Sequence, residues 1–178
     1  IAALAQEMVG PTGTVVAVDP SEGMLAEAKK AGVRDTRVGR GEQLPVGDAE
    51  FDILTMGYAL RHVEDLVVTF REYLRALKPG GKVLLLEITR PAGRVHYAFL
   101  KFYLKHVVPR VTRIVRRSRE AEELMRYYWD TIEACVPPAD ILAALAAAGF
   151  TDVKRHVLNG MFSEYSAIRP DTAAGANP

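Results

Sequence analysis

Apolar and polar positions alternate along the chain in two rhythms, one of helices and one of strands. Residues 1–9 carry a helical pattern that stops at Gly10-Pro11. Thr14-Val-Val-Ala-Val-Asp19 is a β-branched run closing on one carboxylate, which predicts a buried strand. Ser21 stands where it can cap a helix through Met24, Leu25 and Ala28 to Gly32. A short strand near Arg37-Val38 follows, then a loop from Gly39 to Glu50, then a second buried strand, Phe51-Asp-Ile-Leu-Thr-Met-Gly57. Val63, Leu66, Val67, Phe70, Leu74 and Leu77 recur with the spacing of one helix face. Pro79-Gly80-Gly81 stops that helix, and Lys82-Val-Leu-Leu-Leu-Glu-Ile88 is the most hydrophobic strand of all. Strands alternating with helices imply right-handed crossovers and a mostly parallel sheet.

Past Ile88 the rhythm changes. Residues 94–119 carry no strand pattern and read as helix, apolar first (Phe99, Phe102, Tyr103) and then basic. A further helix is expected over about 120–134, and Pro138 opens another that closes at Gly149. Two alternating segments joined by Asn159-Gly160 predict a closing antiparallel hairpin with a two-residue turn. The expected organisation is one α/β domain over 1–170, a helical insertion at about 94–136, and a flexible polar tail over 171–178.

Composition narrows the function classes. The 178 residues, 49% apolar and 25% charged, are ordinary for a globular chain. No run approaches the roughly 18 apolar residues that span a bilayer. The 23 basic and 22 acidic side chains nearly cancel, and no recognition motif accompanies the arginines, so nucleic acid is not an expected partner. The lone Cys135 excludes an internal disulfide framework and fits a reducing, cytoplasmic setting; it reads as a small buried hydrophobe. His62, His96, His106 and His156 are scattered without ligand spacing, so no metal site is expected.

Asp19 is the first candidate for chemistry. A carboxylate at the end of such a strand binds ribose hydroxyls in nucleotide-binding α/β folds, roughly 20 residues after a glycine-rich loop. By that count the loop would lie just before Ile1, outside this chain. The plainer reading is a carboxylate favoured by the dipole of the following helix.

Several motifs in order extend the picture: Val18-Asp19-Pro20-Ser21 with Met24-Leu25, Gly41-Glu42-Gln43-Leu44-Pro45, Phe51-Asp52, Leu60-Arg61-His62-Val63, Leu77-Lys78-Pro79-Gly80-Gly81, and Ala148-Gly149-Phe150. Together they resemble the class I S-adenosylmethionine-dependent methyltransferases, specifically the UbiE-like group of ubiquinone and menaquinone biosynthesis C-methyltransferases, over residues 1 to about 168. The resemblance implies a Rossmann-like sheet of seven strands, the last antiparallel, whose first strand and glycine loop lie outside this chain. The strands ending at Asp19 and Gly57 would then flank an unfilled slot, with low stability and weak cofactor binding expected.

The resemblance implies S-adenosyl-L-methionine as cofactor, with Asp19 and Pro20 at the ribose, Met24 against the adenine, and Gly41-Glu42 in the adenine-contacting loop. For Met24 the alternative is ordinary core, and for Glu42 a solvated loop charge. Arg40 stands where the family usually has aspartate. Gly57 would leave room for the methionine part and Tyr58 would line the same pocket. Arg61 and His62 fall where the family has Arg-Asn, and are the catalytic candidates. Methylating an aromatic carbon needs a phenolate aligned behind the S–CH₃ bond, and most of the rate comes from positioning and charge stabilisation. A guanidinium is too weak an acid to serve as base. Arg61 could hold the phenolate or orient a water, and His62 could take a proton. Alternatively Arg61 pairs with Glu64 or Asp65 and His62 is merely exposed.

The acceptor implied is small and hydrophobic, in the first instance a quinone precursor. Another lipid or aromatic metabolite, methylated on carbon, nitrogen or oxygen, stays open, as does a non-catalytic binding module. Val95, Tyr97, Phe99, Phe102 and Tyr103 suit an apolar acceptor or isoprenoid tail. Arg110, Arg113, Arg116, Arg117 and Arg119 form a basic amphipathic stretch that could touch an anionic membrane surface, or be a solvated helix face. Tyr127-Tyr-Trp-Asp-Thr-Ile-Glu133 matches the family's Tyr-Leu-x-Glu-Ser-Ile signature only loosely.

Overall fold

The computed structural model describes residues 1–89, 93–116 and 135–171. Its strands form two groups. β1 (Val16–Asp19) pairs in parallel with β2 (Asp35–Val38), Asp19 opposite Val38. The second sheet has four strands in the order β3-β4-β6-β5: β3 (Phe51–Gly57), β4 (Leu77–Ile88), β6 (Phe162–Ile168) and β5 (Thr151–Leu158). β3 and β4 run parallel, and β6 runs against both of its neighbours. This is the α/β, mostly parallel arrangement with an antiparallel hairpin that the alternating pattern predicts. Among the described residues β1 pairs only with β2, and β3 only with β4.

That one-sided pairing changes how buried the strands are. Both were expected to be buried. Every residue of β1 is instead half-buried, and Asp52, Ile53 and Thr55 of β3 are exposed. Only β4 and β6, each paired on both sides, keep the inward alternation that a covered sheet imposes.

Helix boundaries follow local chemistry. α1 (Ala2–Val9) ends on Gly10, whose φ of 70° is cheap only without a Cβ. In α2 (Glu22–Lys30), the Ser21 side chain accepts the Met24 N–H. α3 (Leu66–Ala76) is capped by Asp65, whose carboxylate accepts the Val67 and Val68 N–H groups. Its buried residues Phe70 and Tyr73 pack against α6 (Pro138–Ala148) and the sheet, joining Leu77, Val83, Leu85, Ile141, Leu145, Phe150 and Tyr165 in the main core. Pro79-Gly80-Gly81 does not separate helix from strand as expected. β4 already begins at Leu77, and Lys78 to Gly81 bulge out from β3 between the pairs Phe51–Leu77 and Ile53–Lys82. The closing turn has Asn159 and Gly160 at positive φ, as predicted, but is one residue longer, because Met161 stays outside the ladder and gives its carbonyl to Thr89.

The insertion is helical where described: α4 (Arg94–Phe102), a π-helical segment over Tyr103–Val107, and α5 (Val108–Arg116). Tyr97, Leu100 and Leu104 pack on Ile88, Met161 and Phe162. The expected helix over 120–134, the Tyr127–Glu133 segment, Arg117, Arg119 and most of the tail lie outside the described residues.

Candidate active site

Strands carry their chemistry at their carboxyl ends in open parallel sheets, and the candidate residues fall there. Asp19 ends β1. Its Oδ1 accepts the Ser21 N–H at 2.8 Å, which aims the carboxylate along the turn into α2. Pro20 and Met24 are exposed, Met24 at 60%, so Met24 is an accessible apolar surface beside Asp19 and not core.

The loop after β2 is tied to the end of β1 and to α3. The Gly39 N–H donates to the Asp19 carbonyl at 3.3 Å. A Cβ on Gly41 would lie 3.0 Å from the Tyr73 hydroxyl, so Gly41 lets this loop close on α3. Glu42 is more than a solvated charge, since its Oε1 accepts the Glu64 N–H at 3.3 Å. It also helps burial hold the Tyr73 phenol well above its ordinary pKa. Arg75 and Glu72 anchor the rest of the loop. Glu72 takes the Leu44 N–H at 2.8 Å, Arg75 donates to the Val46 carbonyl at 3.1 Å, and the two side chains bond each other. Arg75 and the Leu44 amide hold the Glu72 carboxyl below its usual range.

β3 ends at Gly57, where the Ile1 side chain comes so close that any Cβ would collide with it. Tyr58 follows with φ 59°, a left-handed conformation that bulky residues rarely adopt, and its N–H donates to the Leu86 carbonyl at 2.7 Å. A short 3₁₀ turn, Leu60–His62, comes next. Leu60 is fully buried and His62 exposed. Arg61 was expected to pair with Glu64 or Asp65, or to act on substrate. Asp65 is committed to capping α3, and Arg61 instead reaches Glu87 on β4, with Nη1 3.7 Å from Oε1. The side chains are 11% and 0% exposed.

Glu87 and its neighbours are the residues that sequence reasoning missed. The signal available was one carboxylate inside the otherwise apolar stretch Val83–Ile88. Beside Glu87, Thr89 and Ser163 share a 2.7 Å hydrogen bond, and Arg155 donates to both hydroxyls. Tyr58, Glu87, Leu158, Phe162 and Ser163 border a cleft of about 240 Å³ against the β5–β6 hairpin. Cys135, expected to be buried, is half-buried, and burial and Glu87 push its thiol up to about 11. Among the described residues no cluster of three metal-ligating side chains occurs.

Asp19, Gly41, Glu42, Tyr58, Arg61 and His62 thus each lie at or after the carboxyl end of β1, β2 or β3. The family model described as the ubiE/COQ5 methyltransferase family matches residues 1–167. The chain belongs to this family. It is 34% identical over 157 residues to a demethylmenaquinone methyltransferase of Corynebacterium glutamicum, covering 88% of this chain and 66% of the relative. It is 36% identical over 155 residues to one from Halalkalibacterium halodurans, covering 82% and 61%. The chain therefore spans just under two thirds of the length of these relatives.

Solved structures place the fold of this ubiE/COQ5 family member among methyltransferases. A SAM-dependent methyltransferase from Aquifex aeolicus has a TM-score of 0.61 at 15% identity, over 91% of this chain and 72% of the other. One from Thermotoga maritima, described as a possible histamine N-methyltransferase, gives 0.60 at 20% identity, over 86% and 72%.

Proposed function

We propose that this family member transfers a methyl group from S-adenosylmethionine to a ring carbon of a hydroquinone bearing an apolar tail, the acceptor class to which the names of its relatives point. The observation that carries the reading is the Arg61 guanidinium held nearly buried behind the carboxyl ends of β3 and β4. A cation fixed there can stabilise the phenolate that makes the ring carbon nucleophilic.

The residues present fit the ribose and adenine side of the cofactor. Asp19 spends one oxygen on Ser21 and keeps Oδ2 as an acceptor for a ribose hydroxyl. Met24 offers an exposed apolar face in the first turn of the following helix, and Gly41-Glu42 follows the neighbouring strand β2. When bound, S-adenosylmethionine supplies an electrophilic methyl group. Arg61 orients and charge-stabilises the acceptor oxygen, and exposed His62 takes its proton. Tyr58 and the cleft against the hairpin shape the acceptor side.

Surface chemistry supports delivery from a membrane. Val95, Phe99, Phe102 and Tyr103 are exposed on the insertion, followed by the exposed Arg110 and Val111. No described helix is long and apolar enough to cross a bilayer, so contact would be peripheral, at an anionic surface.

Incubation with methyl-labelled S-adenosylmethionine and a prenylated 1,4-naphthohydroquinone should give a product carrying the label on a ring carbon. Label found only on oxygen, or no labelled product, would overturn the reading.

A further inference from the structure

Strand β4 is the apolar centre of the larger sheet, yet it carries a fully buried carboxylate near its end. Glu87 lies on the face shared with Val83 and Leu85, both fully buried, and opposite Ser163 in the ladder. Taking a carboxylate out of water costs several kcal/mol, which an ion pair repays only with very good geometry. The geometry here is not of that kind. Oε1 accepts the Ile88 N–H at 3.0 Å and stands 3.7 Å from Arg61, while Oε2 makes no hydrogen bond of normal geometry. An apolar side chain of similar volume would serve the fold better. A second local rule is broken alongside, since Tyr58 bonds Leu86 from a left-handed conformation. Two such violations at adjoining positions mark a functional site more often than a packing solution.

What Glu87 touches shows what it can do. Burial pushes the Glu87 carboxyl above its ordinary pKa; the Ile88 amide opposes that rise, and so do Arg61, the Leu60 amide and His62. The last three are the residues of the 3₁₀ turn that carries the catalytic candidates. An arginine side chain left to itself extends into solvent, where its charge is hydrated and its position averaged. A charge held beneath it from the neighbouring strand fixes the turn and the guanidinium together.

We propose that Glu87 is a positioning residue for the methyl-transfer reaction, locking the Leu60–His62 turn on β4 and aiming Arg61 at the acceptor oxygen. The inference rests on the methyltransferase reading for its kinetic consequence, and on geometry alone for its hold on Arg61. Glu87 lines the cleft against the hairpin, but its side chain has no exposed surface, so it stands behind Arg61 and not on the acceptor. It acts through Arg61, so its effect vanishes when Arg61 is gone.

The test is a double-mutant cycle in the protein with S-adenosylmethionine and a prenylated naphthohydroquinone. Glu87→Gln keeps the shape and removes the charge. It should lower kcat about 10- to 100-fold, the penalty of a misplaced catalytic group, with KM for S-adenosylmethionine within about twofold. Glu87→Asp should recover part of the loss. In an Arg61→Ala background, Glu87→Gln should cost nothing further. Unchanged kcat, or an equal loss in both backgrounds, would overturn the proposal. A second readout needs no turnover: the Arg61 side-chain N–H resonance should be sharp in the wild type and broadened in Glu87→Gln. An identical resonance in both would refute the hold on Arg61. Should the wild type methylate no hydroquinone, the functional reading fails while the resonance still decides whether Glu87 fixes Arg61.

Discussion

The β1–α2–β2 unit and the four-stranded sheet carry the two groups of candidate residues on very different foundations. In the first, Leu25 and Val33 are the buried apolar side chains, and β1 has no fully buried residue. In the second, Phe70, Leu77, Val83, Leu85, Ile141, Leu145 and Tyr165 are close to or fully buried in one cluster. Asp19 therefore stands on a thin support, and Arg61 and Glu87 on a thick one. The half proposed to face the cofactor thus has the smaller core beneath it, and the half proposed to face the acceptor the larger. Rigidity matters most where charge must be stabilised without reorganisation, and adjustable elements come from the less stable regions of a fold.

The contrast breaks most visibly on truncation of the two cores. Phe70→Ala should cost about 3–5 kcal/mol and Leu25→Ala about 2–3 kcal/mol, the ordinary range for buried large-to-small changes. The distribution is the sharper test. In hydrogen exchange, Phe70→Ala should lower protection in β3, β4 and β6 together, while Leu25→Ala lowers it over residues 16–38 alone. Equal loss throughout in both variants would mean the two regions unfold as one.

A smaller effect is expected at the strap between them. The Glu72 carboxyl is depressed by Arg75 and the Leu44 amide, so its stabilisation is present above its unfolded value near 4.5 and is lost as pH falls through the lower folded value. Glu72→Gln should flatten the fall in stability over that acid window. The expected loss at neutral pH is about 1 kcal/mol or less, since Arg75 is a third exposed. Chemical denaturation at two pH values measures both. An unchanged acid slope would remove Glu72 as the anchor.

Much of this was legible from local chemistry. The Ser21 cap, the α3 face from Leu66 to Leu74, the Gly149 stop and the Asn159-Gly160 turn each declare themselves within a few residues, because their physics is local. The burial of β1 and β3 was overestimated, because a β-branched run reveals its apolarity but not how many neighbours it will pair with. The chain could not show that Pro79-Gly80-Gly81 loops out within a strand, since helix stop and strand bulge use the same residues. For the site, Arg61 was visible as a candidate. Its partner was not, because Glu87 lies 26 residues away and their meeting depends on β3 and β4 pairing. The single acidic residue in an apolar strand was the clue, and only the fold says what it faces.

The central claim is that Asp19 serves cofactor binding while Arg61 serves the transfer step. Asp19→Ala and Arg61→Ala test it directly, with the dissociation constant of S-adenosylhomocysteine and single-turnover methyl transfer at saturating cofactor measured on each. Asp19→Ala should weaken binding by about 10- to 100-fold, the worth of a charged hydrogen-bond pair, and leave the saturated rate nearly intact. Arg61→Ala should leave binding within about twofold and slow the saturated rate by about 100-fold or more. A variant pair in which both parameters fall together, or in which Arg61→Ala transfers methyl at the wild-type rate, would contradict the account.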